Sequence, residues 1–332
     1  MVFKISGTNT IDNSRNLSST SLGAIGSTNY IEIVTVPTAM GSTSGYTSGG
    51  GDNPPSNPSN VIDKFPFASN ANATDVGDLS VARYGPSGQS STTYGYTSGG
   101  NLPLGVKSNT IDRFPFASGG NASDVGDLTE TRANVAGQSS NLSGYTSGGS
   151  SAPGAAVNTI DSFPFATNAN AIDVGDLTVS RYSVSGQSSN AYGYSSGGDQ
   201  NPPAVNTIDR FPFASNSNAS DVGDLSQTRI GVAAQNSTTT GYSSGGFAPP
   251  YSNVIDSFPF ASNANATDVG DLTQSRSNAA GQSSTSKGYS SGGFVPTGSV
   301  NTVDSFPFSS NANATDVGDL TVARYLAAGQ QY

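Results

Sequence analysis

Apolar side chains recur along this chain in short clusters separated by Gly, Ser, Asn and Pro, and the same arrangement of clusters is repeated six times. In the second copy the clusters cover residues 84–90, 94–98, 109–116 and 125–129. Most of them are rich in Tyr, Phe, Val, Ile or Thr and are bounded by turn-forming residues, which is typical of β-strands. No stretch shows the period of an amphipathic helix longer than one turn. The pattern therefore predicts four short strands in every copy.

The repeat has a nearly constant length, with steps of 50, 49, 49, 48 and 47 residues between the Gly-Tyr pairs of successive copies. Four short strands in a unit of this length are typical of one blade of a β-propeller. The chain ends with a first strand, over residues 324–332, whereas the first copy begins with its second strand. We therefore expect the C-terminal strand to complete the first blade and to remove the open edges. The six Gly-Tyr pairs begin at Gly45, Gly95, Gly144, Gly193, Gly241 and Gly288.

These observations predict an all-β protein with two parts. Residues 41–332 form a six-bladed β-propeller closed by the C-terminal strand, and residues 1–40 form a β-rich N-terminal segment, whose role in attachment or oligomerisation is implied by the resemblance of residues 3–17 given below. Within that segment, residues 30–36 consist of a Tyr followed mainly by β-branched side chains, which is typical of a strand.

Composition removes several functional classes. The net charge is −10 and Lys and Arg form no cluster, so we expect no nucleic-acid binding. No apolar run reaches membrane-spanning length, so we expect no membrane insertion. Cys and His are absent, which excludes thiol catalysis, disulfides and a Ser-His-Asp triad. Glu occurs only at Glu32 and Glu130, so glycoside hydrolysis would require two Asp residues. We expect a non-catalytic protein, with a glycan-degrading enzyme as an alternative.

Most of the charged residues belong to the repeat itself. One Asp in each third strand and one Arg after each fourth strand recur in all six copies, and the sequence predicts that they pair to hold neighbouring strands or blades together. The alternative is that these Asp residues form an acidic ring that lines the central channel and binds cations. The residues are Asp63, Arg83, Asp112, Arg132, Asp161, Arg181, Asp209, Arg229, Asp256, Arg276, Asp304 and Arg324.

An Asp doublet, Asp75 and Asp78 in the first copy, also recurs six times beside Asn residues. Asp side chains in such turns bond to the nearby backbone, although their oxygens are also the ligands that calcium prefers. We expect no cofactor and no metal, and calcium at these turns is the alternative. The paired Phe residues of the Phe-Pro-Phe motif are expected to pack between blades, with sugar stacking as the alternative.

The stretches between the second and third strands differ from copy to copy. They cover residues 51–59, 101–108, 150–157, 199–205, 247–252 and 294–300. They are expected to emerge on one face of the disc, where loops on a rigid scaffold commonly bind partners. Neutral variation of surface loops is the alternative. The candidate binding residues are Leu102, Leu104, Phe247, Tyr251, Phe294 and Val295.

The repeat resembles the kelch-type propeller repeat. Gly99-Gly100 at the end of the second strand, Asp112 in the third, Leu128 in the fourth and Arg132 before the next blade stand in kelch order. Leu occupies the place of the kelch Trp in the fourth strand. The Thr-Asp-Val-Gly-Asp-Leu turn is similar to the Asp-box of sialidase-type propellers, where it is structural.

A second resemblance concerns the N-terminal segment. Residues 3–17 are similar to linking motifs of bacteriophage fibre and tail proteins, and the Phe-Pro-Phe-Ala-Ser and Asp-Val-Gly-Asp-Leu wording resembles kelch-like arrays of marine phages that infect cyanobacteria. This resemblance implies a virion protein that is assembled in the host cytoplasm and placed on a fibre or tail appendage.

The partners that this resemblance implies are other virion proteins, contacted through residues 1–44, further copies of the same chain on the particle, and a host-surface glycan or protein. Decoration of a capsid or neck, or a structural filament role without a receptor, is the alternative function.

Overall fold

The computed structural model describes residues 3–5, 10–11, 31–33, 41–52 and 57–332. The chain divides into two compact units, Met1–Pro37 and Thr38–Tyr332. In the first unit, Phe3–Ile5 pairs antiparallel with both Thr10–Ile11 and Ile31–Ile33. The strand predicted over residues 30–36 is thus present at Ile31–Ile33, the part of that stretch that the structure describes. The remainder of the predicted attachment segment lies outside the described residues.

The second unit contains six four-stranded antiparallel sheets, which we number as blades 1 to 6 and which surround a central channel. The innermost strands are Ala328–Gln331, Ser87–Ser90, Ala136–Ser139, Ser185–Ser188, Ala233–Asn236 and Ala280–Ser283. The second strands are Ser44–Ser48, Tyr94–Ser98, Ser143–Ser147, Tyr192–Ser196, Thr240–Ser244 and Lys287–Ser291. The third strands are Val61–Pro66, Thr110–Pro115, Thr159–Pro164, Thr207–Pro212, Val254–Pro259 and Thr302–Pro307. The outermost strands are Thr74–Asp78, Ser123–Asp127, Ile172–Asp176, Ser220–Asp224, Thr267–Asp271 and Thr315–Asp319.

Two short strand pairs and one 3₁₀ turn lie in the connections between these strands. Arg132–Ala133 pairs with Ser150–Ser151, and Phe294–Val295 pairs with Gly298–Ser299. Pro103–Gly105 forms a single 3₁₀ turn. The prediction of an all-β, six-bladed propeller is confirmed.

Blade 1 is assembled from both ends of the propeller sequence. Ala328–Gln331 pairs antiparallel with Ser44–Ser48, with Ala328 opposite Ser48 and Gln331 opposite Gly45. The carbonyl of Tyr332 also accepts backbone N–H groups of three consecutive residues, 42–44, at 2.6–3.0 Å. The predicted closure by the C-terminal strand is therefore confirmed, and the ring of blades has no unpaired blade edge at this seam.

The Gly of the Gly-Tyr pair is required by cross-strand packing. Gly95 lies opposite Phe114 in the ladder between the second and third strands of blade 2. A Cβ at Gly95 would overlap the Phe114 ring. Because the same pairing recurs in every blade, the first Phe of each Phe-Pro-Phe covers a glycine of its own sheet with the Cζ end of its ring, and it is at most 2% exposed.

The Tyr that follows this Gly joins one blade to the next. Tyr96 of blade 2 packs against Phe163 and Phe165 of blade 3, with ring centroids 5.5 and 4.8 Å away. Its hydroxyl donates to the carbonyl of Phe165 at 3.3 Å. Equivalent Tyr and Phe rings cluster at all six blade junctions. The predicted packing of the Phe-Pro-Phe motif between blades is confirmed.

Candidate functional site

The structure places the repeated Arg and Asp residues together between blades. Arg132 follows the outermost strand of blade 2, and its Nη2 lies 2.9 Å from Oδ2 of Asp161 on the third strand of blade 3. The six pairs have N···O distances of 2.7–3.2 Å and side chains at most 1% exposed. They are Arg83–Asp112, Arg132–Asp161, Arg181–Asp209, Arg229–Asp256, Arg276–Asp304 and Arg324–Asp63.

Further hydrogen bonds surround each ion pair. The Asp161 carboxylate accepts hydrogen bonds from the backbone N–H of Thr129 at 3.0 Å and from the Thr129 hydroxyl at 2.7 Å. Arg132 also donates to the carbonyl of Thr146 at 3.0 Å. Burial lowers the pKa of Arg132, and the neighbouring Asp161 carboxylate opposes that shift. A buried charge needs such a partner and such hydrogen bonds, so each pair links two consecutive blades.

The alternative of an acidic channel is wrong. The carboxylates of the third-strand Asp residues are buried between the blades. The described residues that line the channel are uncharged: they are Gly, Ala, Ser, Pro, Val and Asn together with Leu326 and Gln331, around a volume of about 130 Å³.

The repeated Gln residues form a second set of bonds between blades. Gln138 Nε2 on the innermost strand of blade 3 donates to the carbonyl of Tyr194 in blade 4 at 2.9 Å and to the hydroxyl of Ser195 at 3.0 Å. The same amide-to-carbonyl bond spans all six junctions at 2.9–3.0 Å. These Gln side chains therefore connect neighbouring blades close to the axis.

The Asp doublets stabilise the outer turns. Asp124 Oδ1 accepts the backbone N–H of Gly126 at 3.1 Å across a β-bulge, and the N–H of Asp127 donates to Asn170 Oδ1 of the next blade at 3.1 Å. Within the described residues, no group of three or more His, Cys, Asp or Glu side chains could hold a metal ion. The turn-capping interpretation therefore accounts for the first Asp of each doublet.

One face of the propeller carries the variable loops, and we call it the loop face. It consists of the loops between second and third strands and of the connections that follow each repeat Arg. These two kinds of segment contact each other: Tyr84 bridges to Asn101, Ile230 to Phe247 and Ser277 to Phe294. The chain enters the propeller on the opposite face, where the N–H of Gly41 donates to the carbonyl of Ser283 at 2.8 Å.

A closed ring of backbone hydrogen bonds surrounds the channel on the loop face. The second residue after each repeat Arg donates its N–H to the carbonyl of the same position in the preceding repeat, at 2.6–3.0 Å. All six residues have positive φ, between 52° and 69°. The sequence did not predict this ring, because its six residues are not conserved in type. They share only a positive φ and backbone hydrogen bonds, which no side-chain pattern reveals. Its members are Gly85, Asn134, Ser183, Gly231, Asn278 and Leu326.

Four aromatic rings lie in a row on the loop face, and we call them the aromatic strip: Phe247, Tyr251, Phe294 and Tyr325. Consecutive ring centroids are 4.9, 6.4 and 5.0 Å apart. The planes of successive rings are inclined by 41–62°, and all four side chains are partly exposed. The strip extends over the loops of blades 5 and 6 to the connection that leads into blade 1.

The other predicted binding residues have different positions. Leu102 is half-buried in the blade 2 loop, and Leu104 is fully exposed at its tip. Val295 is only 8% exposed, because it pairs with Gly298 in a short hairpin that turns its side chain inward. Val295 is therefore corrected from a binding residue to a packing residue.

Tyr325 was not predicted as a site residue. It directly follows the repeat Arg, at a position that is Tyr, Ala, Tyr, Ile, Ser and Tyr in the six repeats. This variable position beside an invariant Arg was the sequence signal that could have marked Tyr325 as a candidate binding residue. A Tyr at this position is also present as Tyr182, whose hydroxyl donates to Asp199 at 3.3 Å, away from the strip.

Comparisons with known proteins assign neither a family nor a function to the chain. No protein family matches the chain, and no curated protein matches it. A separate observation is that the described residues include no helix with the length and apolar character needed to cross a membrane.

Proposed function

We propose that this chain is a non-catalytic structural protein of a bacteriophage virion, in which a kelch-like propeller displays its loop face to a host-surface partner. The N-terminal segment would attach the propeller to a fibre or tail appendage and bring several copies together. The proposal is supported by the resemblances of the repeat and of residues 3–17, and by the different positions of invariant and variable residues in the propeller.

The observation that carries the proposal is a division between invariant and variable positions. Every repeated Arg, Gln, Tyr and Phe packs or bonds between blades, whereas the partly exposed aromatic strip lies on loops that differ between copies. A scaffold fixed in this way loses little conformational entropy when its loops bind a partner. Many copies on one particle would add avidity.

The chemistry of the loop face favours binding over catalysis. The segments that carry the strip, residues 247–251, 294–299 and 325–327, contain no acidic or basic side chain. The third-strand Asp residues are committed to ion pairs with Arg, and the first Asp of each doublet is committed to a turn. We therefore propose no enzymatic activity and no metal cofactor.

Binding of the fluorescently labelled chain to a panel of cyanobacteria tests this function. One variant replaces residues 247–251 and 294–299 with Gly and Ser, and the matched control replaces residues 150–156 of blade 3. We expect the first variant to lose cell binding and the control to retain it, with melting temperatures showing that both remain folded. If the unaltered chain binds no cell but decorates capsids or necks, the architectural alternative replaces this proposal.

A further inference from the structure

The aromatic strip is not required by the propeller fold. Phe247 and Phe294 occupy the loop position that pairs with the connection leading into their own blade. In blades 1 to 4 the same position holds Gly51, Asn101, Ser150 and Asp199, and these loops keep the corresponding pairing. Small or polar residues therefore suffice for the loop structure, and the rings in blades 5 and 6 call for another explanation.

The strip differs from the inter-blade aromatic core in the exposure of its rings. In the core, Tyr96 is inclined by 53° to Phe163 and by 25° to Phe165, and it is only 2% exposed. In the strip, the angle is 41° between Tyr251 and Phe294 and 56° between Phe294 and Tyr325, and each ring is partly exposed. Because the strip rings are partly exposed, a ligand can reach them from solvent.

The segments that carry the strip contain no charged side chain, although Asp52 follows Gly51, whose N–H donates to the carbonyl of Tyr325 at 2.9 Å. Ser277 bridges to Phe294, and the neighbouring Asn278 donates from Nδ2 to the Ser277 hydroxyl at 3.2 Å. The strip segments contain only small, Pro, Thr, Val and Leu residues besides the rings. A protein interface favours Arg among its anchoring side chains, and none is present in these segments.

We propose that the aromatic strip binds a neutral glycan by stacking pyranose rings on Tyr251, Phe294 and Tyr325. The C–H groups on one face of a pyranose ring carry slight positive charge and are attracted to the negative face of an aromatic ring. The steps of 4.9–6.4 Å between rings are comparable with the size of one sugar residue. The net charge of −10 disfavours sulfated, sialylated or uronic-acid glycans. This inference rests on the display function proposed above.

An array of immobilised oligosaccharides tests the ligand class with the full chain. It carries neutral glucose, galactose, mannose and N-acetylglucosamine oligomers beside sulfated and sialylated versions. We expect binding to at least one neutral series and none to its charged version. Tyr325→Ala and Tyr251→Ala should each lower the affinity about tenfold, whereas Tyr182→Ala, at the position equivalent to Tyr325, should leave it unchanged.

Two results would overturn the inference. The first is that the chain binds no neutral oligomer but still binds cells through the strip loops. The proposed display function would then stand, and the ligand would belong to another chemical class. The other is equal binding by the Tyr325→Ala and Tyr182→Ala variants. Protease treatment of the cells distinguishes the two sources of a neutral glycan, because only binding to a glycoprotein would be lost.

Discussion

At the scale of single residues, Leu326 and Ser183 are the two members of the ring around the channel mouth that have positive φ without being Gly or Asn, and Leu326 is the bulkier of the two. Its φ is 52°, in the left-handed region, where the equivalent residues include Gly85, Asn134 and Asn278. A non-glycine, non-Asn residue pays roughly 1–2 kcal/mol for this conformation. Its N–H and carbonyl nevertheless both bond within the ring, at 2.8 and 2.7 Å, so the surrounding hydrogen bonds hold the conformation in place.

We therefore expect Leu326→Asn to raise the free energy of unfolding by about 1 kcal/mol, because Asn tolerates positive φ better than Leu. Asn278→Leu, the reciprocal change in the same ring, should lower it by a similar amount. Urea denaturation followed by circular dichroism measures both. A Leu326→Asn variant that is less stable than the parent would show that apolar contacts of Leu326 outweigh its backbone strain.

At the scale of the strands, five of the six blade junctions share a hydroxyl bond that the sixth lacks. Ser147 and Ser195 hydroxyls lie 2.7 Å apart between blades 3 and 4. The equivalent Ser290 of blade 6 is fully buried, and its Oγ has no hydrogen-bond partner. The junction between blades 5 and 6 is therefore held by fewer bonds near the axis.

This difference predicts unequal effects of the same substitution. Ser195→Ala should cost about 1–2 kcal/mol, because it also leaves the Gln138 amide with one partner fewer. Ser290→Ala should change the stability by less than about 0.5 kcal/mol, since it removes a hydroxyl that bonds to nothing. Differential scanning calorimetry of the two variants gives the comparison, and equal losses would mean that Ser290 has a partner after all.

The strands also show how far the sequence predicts this fold. The third strand of blade 2 was predicted over 109–116 and spans Thr110–Pro115, because its run of β-branched and aromatic residues located it to within one residue at each end. The innermost strand was predicted over 84–90 but spans only Ser87–Ser90, since Tyr84 pairs with Asn101 and Gly85 joins the channel ring.

Such contacts depend on the neighbouring blade or loop, so no local pattern reveals them. For the same reason, the burial of Val295 and the place of Tyr325 beside Phe294 follow only from the assembled loop face.

At the scale of the whole molecule, the Arg–Asp pair and the Gln link recur at every junction, including the one at which the chain closes. Arg324 of blade 6 pairs with Asp63 of blade 1 at 2.8 Å, as its equivalents do elsewhere. Gln330 donates to the carbonyl of Tyr96 at 2.9 Å. The C-terminal strand therefore supplies both the innermost strand of blade 1 and one of the six Gln links, and its loss would affect two junctions at once.

Deletion of residues 328–332 should consequently open the ring. The second strand of blade 1 would then present unpaired N–H and carbonyl groups, which promote pairing between chains. We expect a much lower melting temperature and oligomers in light scattering coupled to size-exclusion chromatography. The matched control is a circular permutant of residues 41–332 that joins residue 332 to residue 41 by a short Gly-Ser linker and opens the chain at the exposed tip of the blade 2 loop, next to Leu104. It keeps every strand pairing and should remain a monomer that melts within a few degrees of the parent propeller. A truncated chain that stays monomeric and equally stable would show that the interactions between blades hold the ring without the closing strand.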